Sequence, residues 1–209
     1  MSYHKYIFDV KNRKFLGEFE KMYQNEDIED FDAWNEYSIV ENLKNNLMLT
    51  ILKQYGPYDS MLDMDCGKGS LSNRIRPLGN NIVAYDISPT AISKAKQKYK
   101  DIDFRVGGVG ETDLPANTYN LVTAIEIFWY ILPRIHQVLE KLKGTLKSEG
   151  YFFTSLFIPE NPIGKEVIPD SNGYVSIVAQ HFKIKEIIHY QREDDIINNS
   201  GHTMILAQK

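Results

Sequence analysis

Met61-Leu62-Asp63-Met64-Asp65-Cys66-Gly67-Lys68-Gly69-Ser70 is the stretch that decides the fold of this chain. An apolar run ends in a glycine turn, and the turn opens onto a helical pattern. Gly67 and Gly69 let a ligand approach the backbone closely, and a helix starting there presents N–H groups with no partner inside the helix. A little further on, a second apolar run, Asn81-Ile82-Val83-Ala84-Tyr85-Asp86, ends in a carboxylate. A carboxylate so placed accepts hydrogen bonds from both hydroxyls of a ribose. Together the two features predict a cofactor that carries a nucleoside.

The dinucleotide fingerprint needs a third small residue for helix–strand packing, and Ser72 stands in that place. The phosphate loop G-x-x-x-x-G-K-[ST] fails as well, because Lys68 is followed by Gly69. Asp63 points elsewhere. A carboxylate beside the glycine turn repels a pyrophosphate and suits a cofactor with cationic groups nearby, such as an ammonium and a sulfonium.

These residues resemble the class I S-adenosylmethionine-dependent methyltransferases of the small-molecule type. Four segments carry the resemblance in the family's order, over roughly residues 59–156. Leu62 to Gly69 looks like the first motif. Val83-Ala84-Tyr85-Asp86-Ile87-Ser88-Pro89 looks like the second, where Asp86 would hold the ribose and Ile87 flank the adenine. Asp113-Leu114-Pro115 followed by Tyr119 to Glu126 looks like the third and fourth, and Leu142 to Thr154 like the helix leading into the fifth core strand. The resemblance implies a Rossmann-like, doubly wound α/β sheet of seven strands, mostly parallel with an antiparallel last strand, and a helical lid before it. It implies S-adenosyl-L-methionine as cofactor, held by Asp63, Asp65, Cys66, Gly67, Gly69, Asp86, Ile87, Glu111 and Glu126. The chain departs from the pattern in three places. Asp65 stands where the family has glycine, Glu111 replaces the third-strand acid with a one-residue shift, and Tyr119-Asn120 replaces an aromatic residue followed by Asp. A side chain at Asp65 either fills the methionine pocket or pairs the cofactor's ammonium group.

Composition bounds the rest. The chain has 209 residues and a net charge of −4, so no basic excess recruits nucleic acid. The run Lys94-Ala95-Lys96-Gln97-Lys98-Tyr99-Lys100 reads as the solvated face and C-terminal end of a helix. Cys66 is the sole cysteine, which excludes an intrachain disulfide and a zinc site built on several thiolates. It reads as a small residue packed behind the turn. The five histidines show no metal-ligand spacing, so no metal is expected. No apolar run is long enough to span a bilayer and no apolar signal core opens the chain, so a cytoplasmic protein without a membrane partner is expected.

Residues 1–55 read as a helical cap of the same domain, and residues 56–209 as the cofactor-binding domain. In the cap, Phe15, Phe19, Met22 and Tyr23 predict a helix over 14–24, and a longer helix follows over 41–55. Strands are expected at 59–64, 81–86, 102–106, 119–125 and 150–157. Helices are expected at 69–77, 89–99 and 133–147. This alternation predicts a parallel sheet with helices on both faces. A helix near 171–181 and two closing strands, 181–191 and 202–207, complete the chain, with a polar turn at 193–201.

The resemblance implies that the methyl group faces the ends of the fourth and fifth core strands, where the acceptor would bind. Trp129 and Tyr130 follow the fourth strand and read either as a pocket wall or as core aromatics. Phe128 reads as core. Trp34 reads as a lid over the cofactor, with its neighbours Glu29 to Ala33, or as an anchor for the N-terminal helix. His202 opens the last strand and is the candidate proton acceptor, with Tyr130 beside it as a second catalytic candidate. The function that follows is methyl transfer to an oxygen or nitrogen of a small-molecule or sugar acceptor. A non-catalytic, methyltransferase-like binding module stays open because of Asp65, a nicotinamide-dependent oxidoreductase stands third, and a homodimer stays open too.

Overall fold

On the central strands adjacent residues point to opposite sides, and both sides are buried. Leu121, Val122 and Ala124 are all inaccessible, as are Phe152, Phe153 and Leu156. A strand buried on both faces needs helices on both faces, which is the parallel-sheet solution. The computed structural model describes residues 4–9, 11–26, 28, 34, 39–197 and 199–209.

In chain order the elements are α1 (His4–Ile7), β1 (Phe8–Asp9), β2 (Lys14–Phe15), α2 (Phe19–Asn25), α3 (Ile39–Tyr55), β3 (Tyr58–Met64), α4 (Ser70–Ile75), β4 (Gly79–Asp86), α5 (Pro89–Lys98), β5 (Asp103–Val106), β6 (Tyr119–Ile125), α6 (Ile135–Thr145), β7 (Leu146–Ile158), α7 (Ser171–Ala179), β8 (Lys183–Tyr190), α8 (Glu193–Ile197) and β9 (Gly201–Gln208). Seven strands form one sheet in the order β5-β4-β3-β6-β7-β9-β8. β4 and β5 run parallel, as do β6 and β7, whereas β9 lies antiparallel to both β7 and β8. The seven strands and the reversed last strand agree with the resemblance. No helix among the described residues is long and apolar enough to cross a membrane.

By compactness the chain divides into two units. One comprises Met1–Tyr58 with Asp63–Glu111, the other Asp59–Leu62 with Thr112–Lys209. In the first, Ser88 caps α5 by accepting from the Ala91 N–H at 3.0 Å, with Pro89 at its first turn. Ala91, Ile92 and Ala95 form the buried stripe of α5, while Lys96, Lys98 and Lys100 are exposed as expected. In the second, Asp170 caps α7 through the Gly173 N–H at 2.8 Å. Tyr174, Ile177 and Val178 form that helix's buried face.

The helix expected over 14–24 is not formed as such. Lys14 and Phe15 pair with Asp9 and Phe8 in a short antiparallel ladder, Gly17 takes φ +68°, and the helix begins only at Phe19. The Phe8–Phe15 ring contact at 5.6 Å outweighs the helical spacing of Phe15. Helix α6 spans Ile135–Thr145, inside the expected 133–147. Strand β7 starts at Leu146, four residues early, with Glu149 at φ +61° inside it. The polar turn at 193–201 contains α8.

Candidate functional site

In the first unit, β3 delivers the glycine turn and β4 delivers Asp86. Asp86 is buried, and each of its carboxylate oxygens accepts a backbone N–H: Gly67 at 2.8 Å and Ser88 at 2.8 Å. The residue thus ties the two motifs together. Each oxygen retains a second lone pair for a ribose hydroxyl. Burial raises its pKa from 3.8 to about 6 against those two bonds, with the charges of Asp63 and Glu20 adding to the rise. Asp63 is only 1% exposed and accepts from the Ser72 hydroxyl at 2.6 Å. Ser72, which spoils the dinucleotide fingerprint, therefore serves the carboxylate that repels a pyrophosphate.

Asp65 takes φ +58°, a left-handed conformation that Asp tolerates better than most residues. Burial first, then the charges of Asp86, Asp63 and Glu111, push its carboxyl well above the usual range. The Cys66 thiol is raised well above its ordinary value by burial and by Asp63, Asp86 and Asp65, so it is no nucleophile. Four carboxyls gather around one turn, and a cationic ligand there would draw the protonated ones into their ionised form. That cluster suits a cofactor with an ammonium and a sulfonium and opposes a dinucleotide.

Ile87 is 50% exposed and Val106 53% exposed, both at the carboxyl ends of their strands. A Cβ built on Gly108 would sit 2.7 Å from Glu111 Oε2 and 3.4 Å from Ile87 Cδ1. Ile87, Gly108 and Glu111 therefore gather where apolar surface and an acid would receive a purine and its amine. A Cβ on Gly69 would meet the Phe104 ring at 2.5 Å, so this glycine serves packing. At Gly67 the Cβ would meet the Tyr23 hydroxyl at 2.8 Å.

Tyr23 belongs to a cluster that sequence reasoning missed. Its hydroxyl accepts from Trp34 Nε1 at 2.6 Å. Glu26, 4% exposed, bridges Lys68 of the glycine turn at 2.7 Å and Lys94 of α5 at 3.2 Å. Lys94 also donates to the Tyr23 carbonyl at 3.0 Å, and Glu20 accepts from Ser88 and Thr90. Lys94, read as solvated, is instead a half-buried tie. Residues 29–33, expected to flank Trp34 in a lid, lie outside the described residues.

In the second unit, Glu126 takes φ +60° just after β6. Its Oε2 accepts the Phe157 N–H at 2.6 Å, and its Oε1 accepts the Ser155 hydroxyl at 3.0 Å. The same Oε1 lies 3.3 Å from His202 Nδ1. His202 pairs with Phe157 across β7 and β9, and its ring packs on the Phe157 ring at 4.9 Å. A carboxylate at Nδ1 fixes the tautomer that leaves Nε2 as the proton acceptor. His202 also lines a cavity of about 550 Å³ formed at the ends of β7, β8 and β9, with Glu160, Asp170, His189 and Gln191.

The aromatic candidates sit differently. Trp129 Nε1 donates to the Phe157 carbonyl at 2.8 Å, which anchors the turn Phe128–Tyr130 to β7. Phe128 is core, packed on Tyr174 at 5.4 Å. Tyr130 is half-buried, and neither it nor Trp129 lines the cavity. Asn120, which replaces the usual acid, accepts from the Ser60 hydroxyl at 3.2 Å and from Lys147 at 3.2 Å. His181 lies between His136 at 2.8 Å and Glu140 at 2.6 Å, a surface chain of contacts that its sequence position does not announce. Among the described residues no group of His, Cys, Asp and Glu forms a metal site.

A family model for the methyltransferase domain matches residues 62–154, the span that carries the glycine turn, Asp86 and Glu126. Nodulation protein S of Sinorhizobium fredii is 21% identical over 136 residues, covering 62% of each chain. Ribosomal protein L11 methyltransferase of Staphylococcus epidermidis is 33% identical over 140 residues, covering 59% of this chain and 44% of that protein. The chain thus spans less than two thirds of these curated relatives. Among solved structures, the N-methyltransferase NodS of Bradyrhizobium japonicum, in complex with S-adenosyl-L-homocysteine, shares the fold with a TM-score of 0.73. It is 14% identical, and the match covers 91% of this chain and 97% of that one. Residues 62–154 thus carry a methyltransferase domain within a Rossmann-like fold. The cofactor that this domain takes is S-adenosyl-L-methionine.

Proposed function

We propose that this protein transfers a methyl group to an oxygen or nitrogen of a small polar acceptor, a metabolite or a sugar. The observation that carries the reading is His202 at the wall of the cavity, with Glu126 3.3 Å from its Nδ1. Asp86 and Gly67 hold the ribose side of the cofactor, Ile87 and Glu111 receive the adenine, and Asp63 and Asp65 balance its cationic end. When bound, the cofactor supplies an electrophilic methyl group on a sulfonium. Trp34 and Tyr23, over the glycine turn, exclude water from it. His202, oriented by Glu126, takes the proton that the acceptor loses, and the cavity orients the acceptor.

The test is an acceptor screen with isotopically labelled S-adenosylmethionine, repeated with His202→Gln. The variant should lower kcat by about 10²–10⁴-fold, the usual worth of a general base, and leave S-adenosylhomocysteine affinity unchanged. Undiminished turnover in the variant would remove His202 from the reaction. One observation favours a second reading, a binding module without turnover: Asp65 stands in the glycine turn with its carboxyl strongly perturbed. Failure of calorimetric titration to detect either S-adenosylmethionine or S-adenosylhomocysteine would put that reading first.

A further inference from the structure

On the reading above, the amino-acid end of the cofactor meets the turn at 65–69. Resting on that placement, we infer that the turn also binds an adenosyl sulfonium ending in a bare amine, the decarboxylated form of S-adenosylmethionine, and holds it more tightly than S-adenosylmethionine itself. A zwitterionic end needs a donor for its carboxylate as well as an acceptor for its ammonium, and donors are scarce here. The Cys66 N–H donates to the Tyr85 carbonyl at 2.8 Å, the Gly67 N–H to Asp86 at 2.8 Å and the Gly69 N–H to the Cys66 carbonyl at 3.0 Å. Lys68 and Lys94 are both held by Glu26, at 2.7 and 3.2 Å. No lysine or arginine stands between Lys21 and Lys44, a span that includes Tyr23 and Trp34.

The acceptors of the turn are not alike. Asp86 accepts from Gly67 and Ser88, and Asp63 accepts from Ser72. Asp65, half-buried, accepts no hydrogen bond from any described residue. Burial and three neighbouring carboxyls all raise its pKa, and no bond opposes them. A carboxyl without a donor, held at φ +58° beside the glycines, is placed to take a cation from outside the protein. An alkylammonium supplies that cation and favours the ionised form of Asp65. A carboxylate on the same ligand acts the other way. It adds one more acid to Asp63, Asp65, Asp86 and Glu111, while Lys68 and Lys94 already serve Glu26. Removing it takes away a repulsion and leaves the attractions of the ammonium and the sulfonium in place.

Two matched pairs isolate the carboxylate: S-adenosylmethionine with its decarboxylated form, and S-adenosylhomocysteine with its decarboxylated form. Methylthioadenosine, which lacks both the ammonium and the carboxylate, separates charge from bulk. Dissociation constants are read by calorimetric titration of the full chain. In each pair the decarboxylated ligand should bind about tenfold more tightly, the lower end of what a hydrogen bond to a charged group contributes. Methylthioadenosine should bind more weakly than decarboxylated S-adenosylhomocysteine. Asp65→Asn should abolish the preference in both pairs by weakening the amines. Its melting temperature should not fall, because Asn tolerates the left-handed conformation and a buried carboxyl is gone. Equal or weaker binding of the decarboxylated ligands would overturn the inference and leave the cofactor at this turn. So would an amine preference that survives in Asp65→Asn, or methylthioadenosine binding as tightly as the amine. No binding by any of these ligands would overturn the inference together with the placement of the cofactor beneath it.

Discussion

Asp86 shows how a residue proposed for the ligand already serves the fold. It was read from the sequence as a ribose acceptor, yet its carboxylate already joins the glycine turn to the start of α5. Asp86→Ala should therefore weaken cofactor binding by about 1.5–3 kcal/mol and also lower the melting temperature, while Asp86→Asn, which keeps one carbonyl oxygen, should lower it less. Calorimetry and thermal melting separate the two effects. The titration has a definite sign. The carboxyl has a pKa of about 6 in the fold against an ordinary 3.8, so in that window the folded chain keeps a proton that the unfolded chain has released. Stability of the cofactor-free protein should then fall as pH rises from about 4 to about 6 and level off above it. Affinity for the cationic cofactor should rise across the same window, because binding favours the ionised form. A flat affinity profile between pH 5 and 7 would argue against Asp86 facing the cofactor. For Asp65 the same logic predicts that Asp65→Gly raises the melting temperature of the cofactor-free protein. It should also reduce the preference for S-adenosylmethionine over its uncharged-sulfur product, since a carboxyl that the sulfonium would draw into its ionised form is gone. An unchanged preference would dismiss the pairing role.

At the scale of elements, α2 carries what the linear sequence hides. Glu20, Tyr23 and Glu26 lie on or at the end of a helix whose apolar spacing was legible, but their partners in the glycine turn and α5 stand 42 to 71 residues away. Glu26 is shared by Lys68 and Lys94, so Glu26→Gln should destabilise by about 1.5–3 kcal/mol, the worth of a hydrogen bond to a charged group. Because Lys68 belongs to the glycine turn, the variant should also raise KM for S-adenosylmethionine more than it lowers kcat. A loss of stability with no change in that KM would make the ion cluster purely structural. Trp34→Phe removes the bond to the Tyr23 hydroxyl. It should lower turnover more than it lowers the melting temperature if the segment shields the cofactor.

For the whole molecule, the four-carboxyl cluster predicts selectivity among nucleoside cofactors. Saturating S-adenosylhomocysteine at a hundredfold excess over its Kd should stabilise the protein by about 2.7 kcal/mol, whereas NAD at the same concentration should leave the melting temperature unchanged. Stabilisation by NAD would reopen the oxidoreductase reading.

The order of strands and helices, the glycine turn and Asp86 were legible because each depends on local spacing: apolar runs, a turn residue, a cap. The hairpin at Phe8 and Phe15 was not, because a ring contact across a turn competes with helical periodicity and prevails only in the folded chain. Glu126 was legible as a residue at the end of β6, but its bonds to Phe157, Ser155 and His202 come from β7 and β9. By itself the sequence determined the sheet and the class of cofactor, since these follow from residue types at short range. Only the tertiary structure decided which carboxylate orients His202, which residues form the cavity and what pins the glycine turn. Those contacts join residues dozens of positions apart, and nothing in their spacing along the chain records that they meet.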